Sequence, residues 1–328
     1  MAEVNVYFGN IADCALIKEN FGGRKCVIVT DDNVFLLYKD MLGKVFSGTF
    51  ESFSACVINH GEDNKNEECL HEIIDFFAER NLCRNDLVIA MGGGVVTDVA
   101  GLAAGLYLRG VNIVCVPTSL LGMCDAAIGG KTAINTKYGK NSIGIVREPE
   151  LTVIDTDFLK TLPAQEYENG MAEVIKTAVI DGGKLWELVS SGSGNISEIV
   201  KLCVLCKKRI VEDDENDLGL RHVLNLGHTL GHAIETYYNY DISHGRAVAM
   251  GLSAIASKTP HSAEIDNVLK KYGLPTAADI ENPENLRDII SLDKKFVDDD
   301  NIEAAVIHGI GDVRVEKMSK GELWTLLF

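Results

Sequence analysis

Four short apolar runs, each stopped by a turn signal, constrain this chain more than any other feature. Lys25-Cys-Val-Ile-Val-Thr30 ends at Asp31-Asp32-Asn33, and Ala55-Cys-Val-Ile-Asn59 is closed by His60-Gly61. Asp86-Leu-Val-Ile-Ala-Met91 runs into three glycines, and Val111-Asn-Ile-Val-Cys-Val116 ends at Pro117. Between the second and third, Glu67 to Arg80 carries Leu70, Ile73, Ile74 and Phe77 at helical spacing. Continuous apolar runs need cover on both faces. A chain that alternates them with helices supplies it, so the first half predicts an α/β fold around a mostly parallel sheet.

The pattern changes near Asp155. From Phe158 to about Leu292 helical periodicity dominates, with expected helices at Ala164–Ile180, Ile196–Asp213, Thr229–Tyr238, Gly245–Ala256 and Ala263–Tyr272. Ser190 to Asn195 reads as a Ser/Gly-rich loop. Pro283 disfavours helix in the residue before it, and Ala304 to Val315 suggests a hairpin around Gly309–Gly311. The expected division is an N-terminal α/β domain over 1–157 and an all-α C-terminal domain over 158–328. A length of 328 residues fits two domains.

Composition excludes several classes. A net charge of −17 opposes binding to a phosphate backbone, so no nucleic acid partner is expected. No window is long and apolar enough to span a bilayer, so no membrane partner is expected. The N-terminus lacks a basic segment followed by an apolar run, so no signal peptide is read. The nine cysteines are odd in number and mostly lie in apolar strings. They read as reduced core residues of a cytoplasmic protein, and Cys203-x-x-Cys206 as packing within a helix.

Met91-Gly92-Gly93-Gly94-Val95-Val96-Thr97-Asp98 follows a strand and opens a helix. Glycines remove side chains where the backbone turns, and the amides at the helix start can receive phosphate oxygens. The pattern is neither G-x-G-x-x-G nor a P-loop. A tight turn without ligand remains open, and Asp98 could cap the helix dipole or hold a ribose. Gly101 and Gly105 favour close packing of this helix on a neighbour.

Three of the eight histidines cluster in Asn225-Leu-Gly-His-Thr-Leu-Gly-His-Ala-Ile-Glu235 and Ser243-His244-Gly245. On a helix, His228 and His232 share a face, and the break at Tyr240–Ser243 lets the chain return with His244. Thr229 after His228 excludes the protease pattern H-E-x-x-H, and Glu173 in Gly170-Met-Ala-Glu-Val-Ile-Lys176 is the candidate carboxylate. Two imidazoles and one carboxylate leave positions open, which is the character of a catalytic metal site. Lys131, Lys140, Lys176, Lys207, Arg109, Arg221 and Lys294 or Lys295 suggest a pocket for an anion, with Asp125 as the acidic candidate near Lys131.

Together these segments resemble the 3-dehydroquinate synthases. The stretches that carry the resemblance include Gly92-Gly-Gly-Val-Val-Thr-Asp98, Tyr107-Leu-Arg-Gly110, Val116-Pro-Thr-Ser-Leu-Leu121, Gly129-Gly-Lys-Thr132, Gly139-Lys-Asn141, Ile154-Asp-Thr-Asp-Phe-Leu-Lys-Thr-Leu-Pro163, Ala172-Glu-Val-Ile-Lys176, Leu224 to Glu235, His244-Gly245 and Asp293-Lys-Lys295. The resemblance implies a Rossmann-like NAD domain and a helical metal domain, with the active site between them. It implies Zn²⁺ (or Co²⁺) held by Glu173, His228 and His244, with His232 moved from ligand to substrate contact. Implied NAD contacts are Asp31, Asn33, Glu62, Lys65, Gly93, Gly94, Val95, Asp98, Thr118, Ser119, Lys140, Thr161 and Leu162. Implied catalytic and substrate contacts are Asp125, Lys131, Asn141, Lys176, Lys207, Arg221, Asn225, His232 and one of Lys294 or Lys295. The family is dimeric, and Arg109 would reach the neighbour's phosphate site. The implied reaction turns a phosphorylated small molecule, 3-deoxy-D-arabino-heptulosonate 7-phosphate, into 3-dehydroquinate and phosphate without consuming NAD. A related sugar-phosphate cyclase or a metal-dependent polyol dehydrogenase is the alternative. Thr97 stands where glycine is common, Ala126 and Ala127 replace serines, and Arg246 replaces a glutamate.

Overall fold

The computed structural model describes residues 6–214, 219–291 and 301–327. Lys294 and Lys295 lie outside them. Contacts divide the chain into two units, Met1–Leu162 and Pro163–Phe328.

The first unit runs β1 (Val6–Phe8), α1 (Ala15–Phe21), β2 (Lys25–Asp31), α2 (Asp32–Val45), β3 (Ser52–Ile58), α3 (Glu67–Glu79), β4 (Leu87–Gly92), α4 (Gly94–Leu106), β5 (Asn112–Pro117), β6 (Lys131–Thr136), β7 (Gly139–Val146) and β8 (Leu151–Ile154). Six strands form one sheet in the order β1-β8-β5-β4-β2-β3, with every pair parallel. The four expected strands are β2 to β5. Every residue of β4 is buried, which is why its sequence is apolar throughout instead of alternating. Phe77 of α3 is fully buried in the core that includes Val88, Ala90, Val99 and Ala103.

Four strands are additional to those read from the sequence. β1 and β8 pair with each other at one edge of the sheet, Val6 opposite Thr152. β6 and β7 form a separate antiparallel hairpin. Helix α4 lies against that hairpin through its glycines: a Cβ at Gly101 would collide with Thr132, and one at Gly105 with Ile145. The register of the hairpin slips between Ile134 and Thr136.

The second unit contains α5 (Ala164–Asp181), α6 (Gly183–Ser191), α7 (Ile196–Asp213), α8 (His228–Tyr237), α9 (His244–Ala256), α10 (Ser262–Lys271), α11 (Pro283–Ser291), β9 (Asn301–Gly309), β10 (Asp312–Ser319) and α12 (Lys320–Thr325). All residues from Gly170 to Ile180 of α5 are buried, so this helix is the unit's core element and carries Glu173 and Lys176 inward. The expected helices are present as α5, α7, α8, α9 and α10, and the expected hairpin is β9–β10. Pro283 opens α11, where its missing N–H costs nothing. Helices α8 and α9 meet backbone to backbone. A Cβ at Gly251 of α9 would strike the Gly227 carbonyl and lie 2.8 Å from the Gly231 nitrogen.

Eight of the nine cysteines are buried, Cys203 and Cys206 among them, and Cys83 is exposed. Among the described residues no helix is long and apolar enough to cross a membrane.

Candidate functional site

Each unit gathers its own set of groups. In the first, β4 delivers its chain into Gly93, which caps α4, and α4 begins at Gly94. A Cβ at Gly92 would press on Val96, and one at Gly93 would lie 3.5 Å from Ser119 Oγ. Thr118, after β5, donates its amide to Gly92 O at 2.9 Å, and Ser119 Oγ accepts from Gly122 N at 3.1 Å. Val95 is half-buried in the first turn of α4, which therefore presents backbone N–H groups with little side chain in the way. Thr97 is buried and turns its hydroxyl back to Gly94 O at 3.1 Å. Ala126 stands 3.3 Å from where a Cβ at Gly94 would be.

Asp98 is an ion-pair partner: Lys65 Nζ lies 2.5 Å from its Oδ2, with the Lys65 side chain 7% exposed. The same ammonium donates to Asn141 Oδ1 at 2.5 Å. Asn135 donates from Nδ2 to Glu62 Oε1 at 2.8 Å and accepts at Oδ1 from Asn141 N at 2.9 Å. The structure thus brings Glu62, Lys65, Asp98 and Asn141 into one network. Asn135 was not singled out from the sequence.

Other residues lie apart from that network. Asp31 caps α2 by accepting from Val34 N at 2.9 Å; burial, the largest influence, raises its carboxyl pKa despite that bond. Asn33 follows, exposed. Thr161 donates to Phe158 O at 3.1 Å and meets the Tyr38 hydroxyl, and Leu162 ends the unit. Lys131 is exposed at the start of β6, Lys140 is half-buried on β7, and Asp125 is half-buried on the wide turn Gly122–Ala126. Arg109 is exposed and, with Leu108, takes a left-handed conformation (φ 64° and 50°). Arg84 holds this step by donating to Leu108 O at 2.9 Å.

In the second unit, α5, α8 and α9 converge three ligating side chains. Oxygen and nitrogen atoms of Glu173, His228 and His244 all lie within 4.8 Å of one another. Glu173 is completely buried. Its Oε1 is 3.4 Å from His228 Nε2 and 3.3 Å from His244 Nε2, and its Oε2 is 2.6 Å from Lys176 Nζ. Yet neither oxygen receives a hydrogen bond of acceptable geometry. Lys176 offsets the charge at Oε2, while Oε1, facing both imidazoles, is placed to share a divalent cation with them.

The electrostatics suit that set. Burial alone would raise the Glu173 carboxyl; the Lys176 ammonium is the chief group that outweighs it and holds the carboxyl well below its usual range. Burial pushes His228 well below the usual imidazole value, which keeps it neutral as a ligand must be. Its Nδ1 is 3.2 Å from Leu226 O; a proton there leaves the Nε2 lone pair toward Glu173. Burial also acts against charge on His244, but the carboxylates of Glu173 and Glu235 lift it to about 9. Glu235 is 1% exposed, and its Oε2 lies 3.3 Å from His244 Nδ1. A carboxylate behind a ligand imidazole fixes its tautomer and orientation.

Glu235 is the residue of this set that sequence reasoning missed. The signal was present, since His228, His232 and Glu235 fall at i, i+4 and i+7 on one helical face. His232 is exposed, its ring 5.4 Å from that of His228 and 5.9 Å from that of His244. Lys207 is half-buried on α7; Arg221 is buried, its amide donating to Asp214 Oδ2 at 3.0 Å, and lies on the 3₁₀ turn Leu220–Asn225, which Asn225 ends. Arg246, in the first turn of α9, lines a surface groove with Ser243, Asp241 and Asp279.

Known proteins supply a comparison for these two sets of groups. Residues 55–169 match the family model for the 3-dehydroquinate synthase N-terminal region, and residues 170–296 that for its C-terminal region. A 3-dehydroquinate synthase of Clostridium acetobutylicum is 37% identical over 326 residues, covering 95% of this chain and 91% of the relative. That of Clostridium perfringens strain 13 is 42% identical over 279 residues, or 80% and 79% of the two chains. Among solved structures, a 2-epi-5-epi-valiolone synthase from Streptomyces hygroscopicus subsp. jinggangensis 5008, with NAD⁺ and Zn²⁺ bound, superposes with a TM-score of 0.90 at 27% identity, over 100% of this chain and 96% of that one. A 2-deoxy-scyllo-inosose synthase shares the fold at a TM-score of 0.86 and 22% identity, over 98% and 95%. With both halves matched by one family's models and its members aligned over most of their length, this chain belongs to the 3-dehydroquinate synthases.

Proposed function

We propose that the chain converts 3-deoxy-D-arabino-heptulosonate 7-phosphate into 3-dehydroquinate and phosphate, using NAD and a divalent metal. The buried Glu173 carboxylate, with two imidazoles beside it and no aligned donor, carries the reading. In the proposed division, residues 1–157 bind NAD and 158–328 bind metal and substrate. Bound NAD would supply a reversible hydride acceptor, and bound Zn²⁺ or Co²⁺ would polarise a hydroxyl oxygen.

The chain's own groups then bind, orient and neutralise charge. The backbone amides at Gly93, Gly94 and Val95 would face the pyrophosphate, and the Thr118–Ser119 turn the nicotinamide side. Lys65 holds Asp98 for the ribose end. Lys176, buried against Glu173, keeps that carboxylate anionic. Lys131, Asn141, Lys207, Arg221, Asn225, His232 and Lys294 or Lys295 would hold phosphate and carboxylate, and Asp125 the substrate hydroxyls. In a cytoplasmic homodimer, Arg109 would serve the neighbouring subunit's phosphate site, and the strained Leu108–Arg109 step supports that outward placement.

Phosphate release from the heptulosonate is the test, with NADH followed at 340 nm in the same cuvette. Phosphate without net NADH is expected. Phosphate only from a heptulose phosphate lacking the C1 carboxylate would indicate a related cyclase, and accumulating NADH a polyol dehydrogenase. No phosphate from metal- and NAD-loaded protein refutes the proposal.

A further inference from the structure

We infer that Asn135, to which no role attaches so far, is a positioning residue that ties the β6–β7 hairpin to the cofactor set. The inference rests on the NAD reading proposed above.

Asn135 falls where the hairpin's register slips, between Ile134 opposite Ile143 and Thr136 opposite Gly139. Such irregularities re-aim a residue out of the ladder. Here the backbone N–H of Asn135 donates to Lys65 O at 2.8 Å instead of to β7. The side chain makes two further bonds. Nδ2 donates to Glu62 Oε1 at 2.8 Å, and Oδ1 accepts from Asn141 N at 2.9 Å. Asn141 needs that support, because it holds a left-handed φ of 51° at the start of β7. With that amide fixed, the Asn141 side chain accepts from Lys65 Nζ at 2.5 Å, and Lys65 also pairs with Asp98. One carboxamide therefore holds a member of each segment: Glu62 and Lys65 from the turn after β3, and Asn141 from the hairpin that also carries Lys131 and Lys140.

Both ends of the amide are used in opposite senses, so no single isostere replaces it. Aspartate keeps the acceptor for Asn141 but sets a carboxylate against Glu62. Replacing Glu62 by glutamine at the same time reverses the donor and restores the pair.

NAD⁺ affinity is measured by calorimetry on the full chain for the wild type, N135D, E62Q and N135D/E62Q. N135D weakens NAD⁺ about tenfold or more in the wild-type background and by less than about threefold in the E62Q background. An equal loss in both backgrounds overturns the inference. A second measurement does not depend on NAD: in Asn135→Ala the Asn141 amide exchanges its hydrogen about tenfold faster or more. Unchanged exchange there also overturns it. A wild-type chain that fails to bind NAD⁺ sinks the cofactor reading instead, and the exchange rate then decides on Asn135.

Discussion

Replacing Gly251 by alanine tests whether the metal set depends on the close crossing of α8 and α9. His228 is the first residue of α8 and His244 the first of α9, so the spacing of these helices sets the spacing of two ligands. A Cβ at Gly251 would stand 2.8 Å from the Gly231 nitrogen and closer still to the Gly227 carbonyl. Ordinary carbon–heteroatom contact is about 3.3 Å, so the helices must part by at least about 0.5 Å. Both obstacles are backbone and cannot rotate away. Alanine gains about 1 kcal/mol of helix propensity over glycine, whereas overpacking costs about 1–3 kcal/mol, so the variant is net destabilised by up to about 2 kcal/mol. Ligand distances tolerate only about 0.2 Å, so the larger effect falls on the metal. Zn²⁺ affinity, measured by competition with a chromophoric chelator, drops at least about tenfold, and denaturant melts follow stability. A G251A protein with undiminished Zn²⁺ affinity and equal or higher stability would refute this account of the crossing.

Other perturbations have definite expected outcomes. Glu173→Gln lowers metal content measured by plasma emission; full occupancy would remove Glu173 from the ligand set. Glu235→Gln leaves the three ligands in place and weakens Zn²⁺ about 10–100-fold, the usual effect of losing a carboxylate behind a ligand histidine. His244 titrates near 9 without metal, so Zn²⁺ capture at lower pH must expel its proton. Affinity should rise by about tenfold per unit from pH 7 to 9, and a flat profile contradicts the assignment. The same raised value means that His244 stabilises the metal-free fold fully below about pH 6.5 and that this contribution disappears as pH climbs through about 9. Melting of the metal-free protein across that window checks the sign. Phe77→Ala, at a side chain with no exposure, costs about 3–5 kcal/mol in urea unfolding.

What the sequence revealed follows from burial. β2 to β5 are covered on both faces, so they appear as unbroken apolar runs. Helices α7 and α10 of the second unit bury one stripe, so their period shows, whereas α5 and α9 are buried on most sides. β1 has three residues and β8 four, too short to register a pattern. The β6–β7 hairpin escaped because Ile143 and Val146 are exposed and its contact with α4 is made through glycines, which carry no hydropathy signal. Glu173, His228 and His244 were named in advance from residue type and resemblance. Their convergence needs a hydrogen-bond deficit at Glu173 that no spacing displays. Asn135 was missed because it acts only on other functional residues and a lone carboxamide in a string looks like a solvated one, whereas Glu235 shares the helical face of His228 and His232 and could have been read from that spacing.

The edge pairing of β1 with β8 also orders events during synthesis. Val6-Tyr-Phe8 is made before the other strands of its sheet, but its neighbour Leu151–Ile154 is almost the last segment of that unit to be made. Until then the first strand has no partner, and the β5 edge that β8 will cover stays open. Closing so long a loop carries the largest entropic cost in the sheet. The N-terminal half therefore waits on its final strand, and a nascent chain halted before Leu151 exposes an unprotected strand edge to other chains.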